Sequence, residues 1–559
     1  MDRAAPPNLE SEHEEPGATP GRPVDAVVIG AGFAGLYAIH RLRNVAGRTV
    51  KAFEASDNVG GTWNLNRYPG ARCDSEGYIY CYSFDDGLLQ EWEWSGKYPE
   101  QAELLRYLEH VAERFDLRRS IRFGTFVSAA HFDDEQALWK VTTGEGAVTW
   151  ARFLVTCLGH LSIASYVPEI EGLEDFAGSW HHTARWPREG VDLAGLRVGV
   201  IGTGSSGVQL IPVVAREAAH VTVFQRSPQY SIPARHETGT KQFLDDVKSR
   251  YADIWDACKR SAGGFPWQHN GRSALDDTPE ERRATYERLW AEGGVKFALG
   301  SYRDLSLDLE ANRTVSDFIR EKIAAIVEDP VTREALTPYD HPFMSRRPIV
   351  DTNYFETFNR SNVALVDLRK DPIVRVTADG IQTTAGEIPL DLIVFATGFD
   401  AVTGPFFNID IRGRGGRTLT EAWANGPQTY LGLQTHGFPN MFMITGPTSV
   451  TGNLPLNVEL HVDWLAGCLE FLEARNCDVV EPSADAQSGW MSEVAEASTS
   501  SLTAGTDSWF NGGNIPGKAR SMLFYFGHFG KYRTRLESNA AGGYGGFEFS
   551  SSGARRGVT

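Results

Sequence analysis

Gly30-Ala31-Gly32-Phe33-Ala34-Gly35 follows the apolar run Val24 to Ile29, and Gly202-Thr203-Gly204-Ser205-Ser206-Gly207 follows Val198 to Ile201. Each G-x-G-x-x-G opens a helix-patterned stretch, the strand-turn-helix setting that makes the pattern a credible dinucleotide site. Gly30 and Gly202 allow the tight turn, and Gly32 and Gly204 let the backbone approach a pyrophosphate. Gly35 and Gly207 let the helix pack closely on the sheet with its partly positive N-terminus toward the phosphates. A lone glycine-rich turn is commonly only a turn, but two in full context imply hydride transfer between two dinucleotides.

The residues downstream distinguish the two sites. Glu54 stands 19 residues after Gly35 at the end of the run Thr49 to Glu54, where a carboxylate accepts from the free hydroxyls of an adenosine ribose. Arg226, followed by Ser227, stands 19 residues after Gly207. A guanidinium there suits a 2′-phosphate. The bland alternative is a strand-end Glu and Arg facing water; the matched spacing favours FAD at the first site and NADPH at the second.

Around these loops the fold class expected is α/β, with two Rossmann-like dinucleotide-binding domains, the second inserted into the first, and a helical insertion. Residues 24–160 and 386–540 are assigned to the FAD-binding domain, 161–239 and 336–385 to the NADP-binding domain, and 240–335 to the helical insertion. Glu100 to Phe115 has the apolar stripe of a helix. Ile121 to Phe132, Trp139 to Thr143, Phe153 to Thr156, Val363 to Val366 and Ile373 to Val376 read as strands. Leu390 to Gly398 reads as a return strand of the first sheet. Residues 1–23, rich in Pro, Glu and Gly, read as a disordered leader.

The 559 residues have room for two to four domains, and the net charge of −18 argues against nucleic acid or an anionic membrane as partner. The six cysteines include no C-x-x-C pair, and no signal peptide or long apolar run is present. The expectation is a cytoplasmic enzyme, a monomer or weak homo-oligomer, without a metal.

Phe176, Gly178, His182, Trp186 and Pro187 stand in the spacing F-x-G-x-x-x-H-x-x-x-W-P. Gly60-Gly61-Thr62-Trp63, Tyr68-Pro69-Gly70 and Asp74 form a second pattern; Ser345-Arg346-Arg347-Pro348, Ala396 to Asp400, and Trp509 with Asn514 to Lys518 form others. With these, the chain from Val24 to Phe547 resembles the flavin-dependent Baeyer–Villiger monooxygenases. Related enzymes that oxygenate nitrogen or sulfur carry another residue in place of Trp186.

The resemblance implies that NADPH reduces FAD, that the reduced flavin and O2 give a peroxyflavin, and that this attacks a small-molecule ketone to yield an ester or lactone. The peroxide must stay deprotonated, which calls for a fixed cation that does not give up its proton; arginine meets this. By the family's pattern the cation is Arg347, oriented by Asp74. Thr62, Trp63, Asp74, Tyr80 and Val127 join Phe33 and Ala34 on the flavin side. Gln209, Ser205, Ser206 and Thr203 belong with NADP, Arg346 with Arg226 at the 2′-phosphate, and Trp509 on a loop closing over NADP. Phe176, His182 and Trp186 read as a linker device rather than as proton donors. His160, in Cys157-Leu158-Gly159-His160, departs from the Ala-Thr-Gly common among relatives and is expected near the nicotinamide. Gly446 to Trp464 is expected to shape the substrate pocket. The alternatives are a flavin monooxygenase acting on amine nitrogen or sulfide sulfur, a disulfide reductase, which the cysteine spacing disfavours, and a non-catalytic nucleotide-binding scaffold.

Overall fold

The computed structural model describes residues 17–161 and 164–552. The expected leader lies outside the described residues up to position 16. Its remainder is not a free tail: Gly17 N donates to Arg22 O (2.7 Å) and Gly17 O accepts from Trp150 N (2.8 Å), which docks this turn on the first sheet.

Val24–Ile29 is apolar on both faces and pairs in parallel with Val50–Phe53 on one side and Val148–Thr156 on the other. Such two-sided burial is what a parallel strand covered by helices requires. Leu138–Thr143 and Val127–Asp133 continue the sheet in antiparallel fashion, with Asp410–Arg412 and Ile121–Arg122 at its edges. The second sheet is wholly parallel, in the spatial order Val363–Asp367, His220–Gln225, Arg197–Ile201, Leu392–Phe395, Ser179–His182.

The run expected as a return strand of the first sheet therefore belongs to the second. Leu392–Phe395 lies between Arg197–Ile201 and Ser179–His182. The strand that does return to the first sheet is Met441–Met443, parallel to Val148–Thr156. A short apolar run announces a buried strand, but its partner is a long-range choice that periodicity does not carry.

The expected helical insertion is helical but is not one body. Tyr251–Arg260 packs with Phe529–Ala541, and its Trp255 joins the core of the first unit together with Phe265. Pro279–Glu292 and Leu309–Ile326 bring Tyr286, Trp290 and Phe318 into the core of the second. The insertion thus straddles the two units and closes over the space between them.

The chain passes between the sheets twice, side by side. Tyr166 N donates to Gly398 O (2.9 Å), Asp400 N to Ala164 O (2.8 Å) and Val402 N to His160 O (3.0 Å), so the two crossings form a narrow ribbon.

Candidate active site

Both glycine loops are built alike. Gly30 has φ +102° and Gly202 +108°, conformations that L-residues with side chains avoid. A Cβ on Gly35 would collide with Gly30 O, and one on Gly207 with Gly202 O. Only glycine lets the helices Phe33–Ile39 and Ser205–Glu217 start this close to their strands. Beside Gly204 the space is open.

Glu54 is buried at the end of Val50–Phe53. Its Oε2 accepts from Ala31 N (2.7 Å), and its Oε1 accepts from Ser56 N and Oγ (2.8 Å each). The expected ribose reader thus also ties the loop to the second strand. Arg226 emerges exposed after His220–Gln225, and Thr203 Oγ1 donates to the Ser227 carbonyl (3.1 Å). Arg346 Nε donates to Asp507 O (3.1 Å); burial depresses its pKa, and the nearby charge of Arg226 adds to the effect. Arg226 and Arg346 lie close enough for their charges to interact, with Asp340 and Asp507 beside Arg346.

A single cavity of about 750 Å³ lies between the loops. Its walls include Gly30, Gly32, Phe33, Ala34, Glu54, Thr62, Trp63, Asp74, Tyr80 and Val127 from the first unit, and Ser205, Ser206 and Gln209 from the second, with Arg347 and Trp509. Gly35, Gly202, Thr203, Gly204, Gly207, Arg226, Ser227 and Arg346 are outside that lining, the first five shaping the loops behind it.

Arg347 and Asp74 meet at the junction. Arg347 Nη2 is 3.0 Å from Asp74 Oδ2, and its Nη1 donates to Ser205 Oγ at 3.5 Å. The Asp74 side chain is 3% exposed and that of Arg347 42%, so the acid is buried while the cation reaches the cavity. Burial raises the Asp74 carboxyl above its usual value; the Arg347 charge and the Gln209 hydrogen bond oppose this. Gln209, on Ser205–Glu217, donates from Nε2 to Asp74 Oδ1 (2.8 Å) and accepts at Oε1 from Tyr68 OH (2.8 Å). One carboxamide from the second unit therefore grips both Tyr68 and Asp74 of the first, a bridge that no spacing in the sequence announces.

Phe176, Gly178, His182 and Trp186 do not reach the cavity lining. Phe176 packs under the second sheet, and Trp186 shares a core with Tyr68, Val208 and Ile211. His182 Nδ1 accepts from Ala184 N (3.1 Å), burial pulls its pKa down to about 4, and its ring stands edge-on to Phe399 at the ribbon. A neutral, packed imidazole fits the linker reading. His160 lines the cavity, with Nε2 2.8 Å from Thr445 O. Trp509 also lines it, its ring tilted against Phe510 (4.6 Å) and edge-on to Phe524 (5.4 Å). Its segment is pinned to the ribbon by Asn514 Nδ2 donating to Phe399 O (2.9 Å) and by the Lys518–Asp400 ion pair. From Gly446 to Trp464, the residues Val450, Thr451, Gly452, Leu454, Asn457 and Val458 reach the cavity. Missed by sequence reasoning were Phe265, Leu299, Arg303, Phe526 and His528, which carry no motif and converge only in the fold.

The family profile for flavin-binding monooxygenase-like proteins matches residues 24–246. The chain is 43% identical over 539 residues to a Baeyer–Villiger monooxygenase of Pseudooceanicola batsensis, covering 96% of this chain and 98% of the relative. It is 42% identical over 525 residues to the phenazine N-monooxygenase PhzNO1 of Lysobacter antibioticus, covering 94% and 96%. Among solved structures, an oxidised steroid monooxygenase bound to NADP superposes with a TM-score of 0.91 at 49% identity, covering 94% of this chain and 99% of that one. The chain belongs to the flavin-binding Baeyer–Villiger monooxygenase family.

Arg226→Ala should weaken NADPH use about tenfold or more while barely changing NADH use, a charge-assisted contact being worth about 1.5–3 kcal/mol. Steady-state kcat/KM with both coenzymes checks this; equal losses would remove Arg226 from the 2′-phosphate.

Proposed function

We infer that this chain is an NADPH- and O2-dependent flavin monooxygenase that converts a ketone to an ester or lactone. The observation that carries the reading is the Arg347–Asp74 pair on the wall of a cavity to which both glycine loops contribute. The first loop fits FAD: Gly30 and Gly35 set its tight turn against the helix, and Trp63, Tyr80 and Val127 offer apolar surface for a ring system. The second loop, with Arg226, Ser227 and Arg346, fits NADPH. FAD, when bound, accepts hydride and activates O2.

The protein's own part is positional and electrostatic. Arg347 places a permanent positive charge where negative charge develops on the oxygen being transferred and on the ketone oxygen, and it does not donate its proton. Asp74 holds that guanidinium, and Gln209 holds Asp74, so the cation is aimed before substrate arrives. Ser205, at the start of the second helix, gives the same arginine a contact with the NADP side. Trp509 and residues of the straddling helical segments form part of the cavity wall.

With this reading go a FAD unit of residues 24–160 and 399–540, and an NADP unit that takes 386–398 as well as 161–239 and 336–385. The free cysteines, five of the six buried, support a reducing compartment, the cytoplasm. No helix among the described residues is long and apolar enough to cross a membrane.

The test is NADPH consumption across ketones of graded size, with products identified by mass. A product equal to ketone plus one oxygen atom is expected. Oxygen transfer to nitrogen is the second reading, favoured by the relative named as a phenazine N-monooxygenase. Oxygenated heterocycles, with every ketone giving only hydrogen peroxide, would establish that reading instead. FAD should be held without a covalent bond: acid precipitation should leave flavin in the supernatant, and flavin retained in the pellet would contradict this.

A further inference from the structure

Beyond the nucleotide loops the cavity extends into an outer lobe between the 262–269 segment, the 302–307 segment and residues 526–528. Ala262, Gly263, Ala298 and Gly452 also line the cavity, Gly452 backed closely by the Gly263 backbone. Its charge pattern is one-sided. The carboxylates lining the cavity are Glu54 and Asp74, and both are occupied, by Ala31 and Ser56 and by Arg347 and Gln209. The outer lobe has no carboxylate in its lining, yet it carries Arg303, His269 and His528. In a chain of net charge −18, an acid-free wall with three nitrogen bases is a selective feature.

Two of the three groups are tied to the turn at Gly271 and Arg272. Arg303 N donates to Arg272 O (3.1 Å) and Nη1 to Gly271 O (3.3 Å), and among the described residues its guanidinium makes no ion pair. His269 Nδ1 accepts from Gly271 N (3.1 Å), which leaves Nε2–H as its donor. His528 Nδ1 is buried and lacks a hydrogen-bond partner among the described residues. His269 and Lys531 lie close enough to His528 for their charges to interact with it.

We propose that the outer lobe binds the carboxylate of a keto acid, with Arg303, His269 and His528 holding the anionic end while the ketone carbonyl lies toward Arg347. The fate of the carbonyl rests on the oxygenating reading above; the binding of the acid does not. The FAD holoenzyme with NADP+ is titrated calorimetrically with a long-chain methyl-ketone acid and with its methyl ester. The acid should bind about tenfold more tightly at low ionic strength, the size of one charge-assisted contact. The advantage should shrink as salt screens the pair. Arg303→Gln should bring the acid-to-ester ratio close to one, while Arg303→Lys should keep part of it. Equal affinities in the parent, or an unchanged ratio in Arg303→Gln, would overturn the proposal. Oxygenation of the neutral ester is measured alongside; its absence would count against the oxygenating reading alone, because the binding ratio is read without turnover.

Discussion

Arg347→Ala enzyme should fold, hold FAD and make almost no ester. Losing one preorganised group that faces developing charge costs about 2.7–4 kcal/mol, or 10²–10³ in rate. The pair geometry adds a reason: the Asp74 side chain is 3% exposed, so removing the guanidinium leaves a buried carboxylate with the Gln209 hydrogen bond and the more distant charge of Arg72. The site then loses its fixed cation while keeping its cavity and both nucleotide loops. NADPH that is still consumed should appear as hydrogen peroxide. Slower flavin reduction is compatible, because Arg347 also contacts Ser205. The deciding quantity is ester formed per NADPH consumed, with a ketone the parent enzyme accepts. A variant with the parent ratio and rate would transfer the role to Arg346.

Gly207→Val enzyme should remain yellow yet resist reduction by NADPH. Any Cβ at Gly207 overlaps the Gly202 carbonyl, and the helix cannot retreat, because Val208, Leu210 and Ile211 are fully buried behind it. The loop must therefore distort where the pyrophosphate approaches. A displacement of about 1 Å at a positioning element costs about 10² in rate. The first loop, on the other sheet, is untouched, so FAD content should match the parent and dithionite should reduce the flavin normally. Reduction by NADPH at the parent rate would show that this loop does not hold the coenzyme, and loss of FAD would show that the two sites are not separable.

The local parts of this molecule were legible because they depend on short-range geometry. Gly30, Gly35, Gly202 and Gly207 sit where a side chain collides, and the positions of Glu54 and Arg226 follow from one strand-helix-strand length. The meeting of Asp74 and Arg347 was legible only through family resemblance, for nothing in either residue's neighbourhood declares a partner far along the chain. Long-range choices stayed hidden. Leu392–Phe395 fits either sheet equally well as an apolar run, and Gln209 reads as an ordinary helix residue until the fold sets it against Tyr68 and Asp74. The spacing that places Glu54 at the cavity does not show that its two oxygens also hold the loop. The outer-lobe bases come from separate segments, so no spacing could join them.

The paired crossings between the sheets have a mechanical consequence. Two strands cross-linked at Gly398–Tyr166, Ala164–Asp400 and His160–Val402 flex across their flat face, but twisting or sliding shears all three bonds together. Such a tie resists shear between the sheets more than it resists bending across its flat face. Asn514 and Lys518 are fastened to Phe399 and Asp400 of the same ribbon, which ties the Trp509 segment to it. The ribbon, the Trp509 segment and the cavity wall are thereby parts of one connected frame.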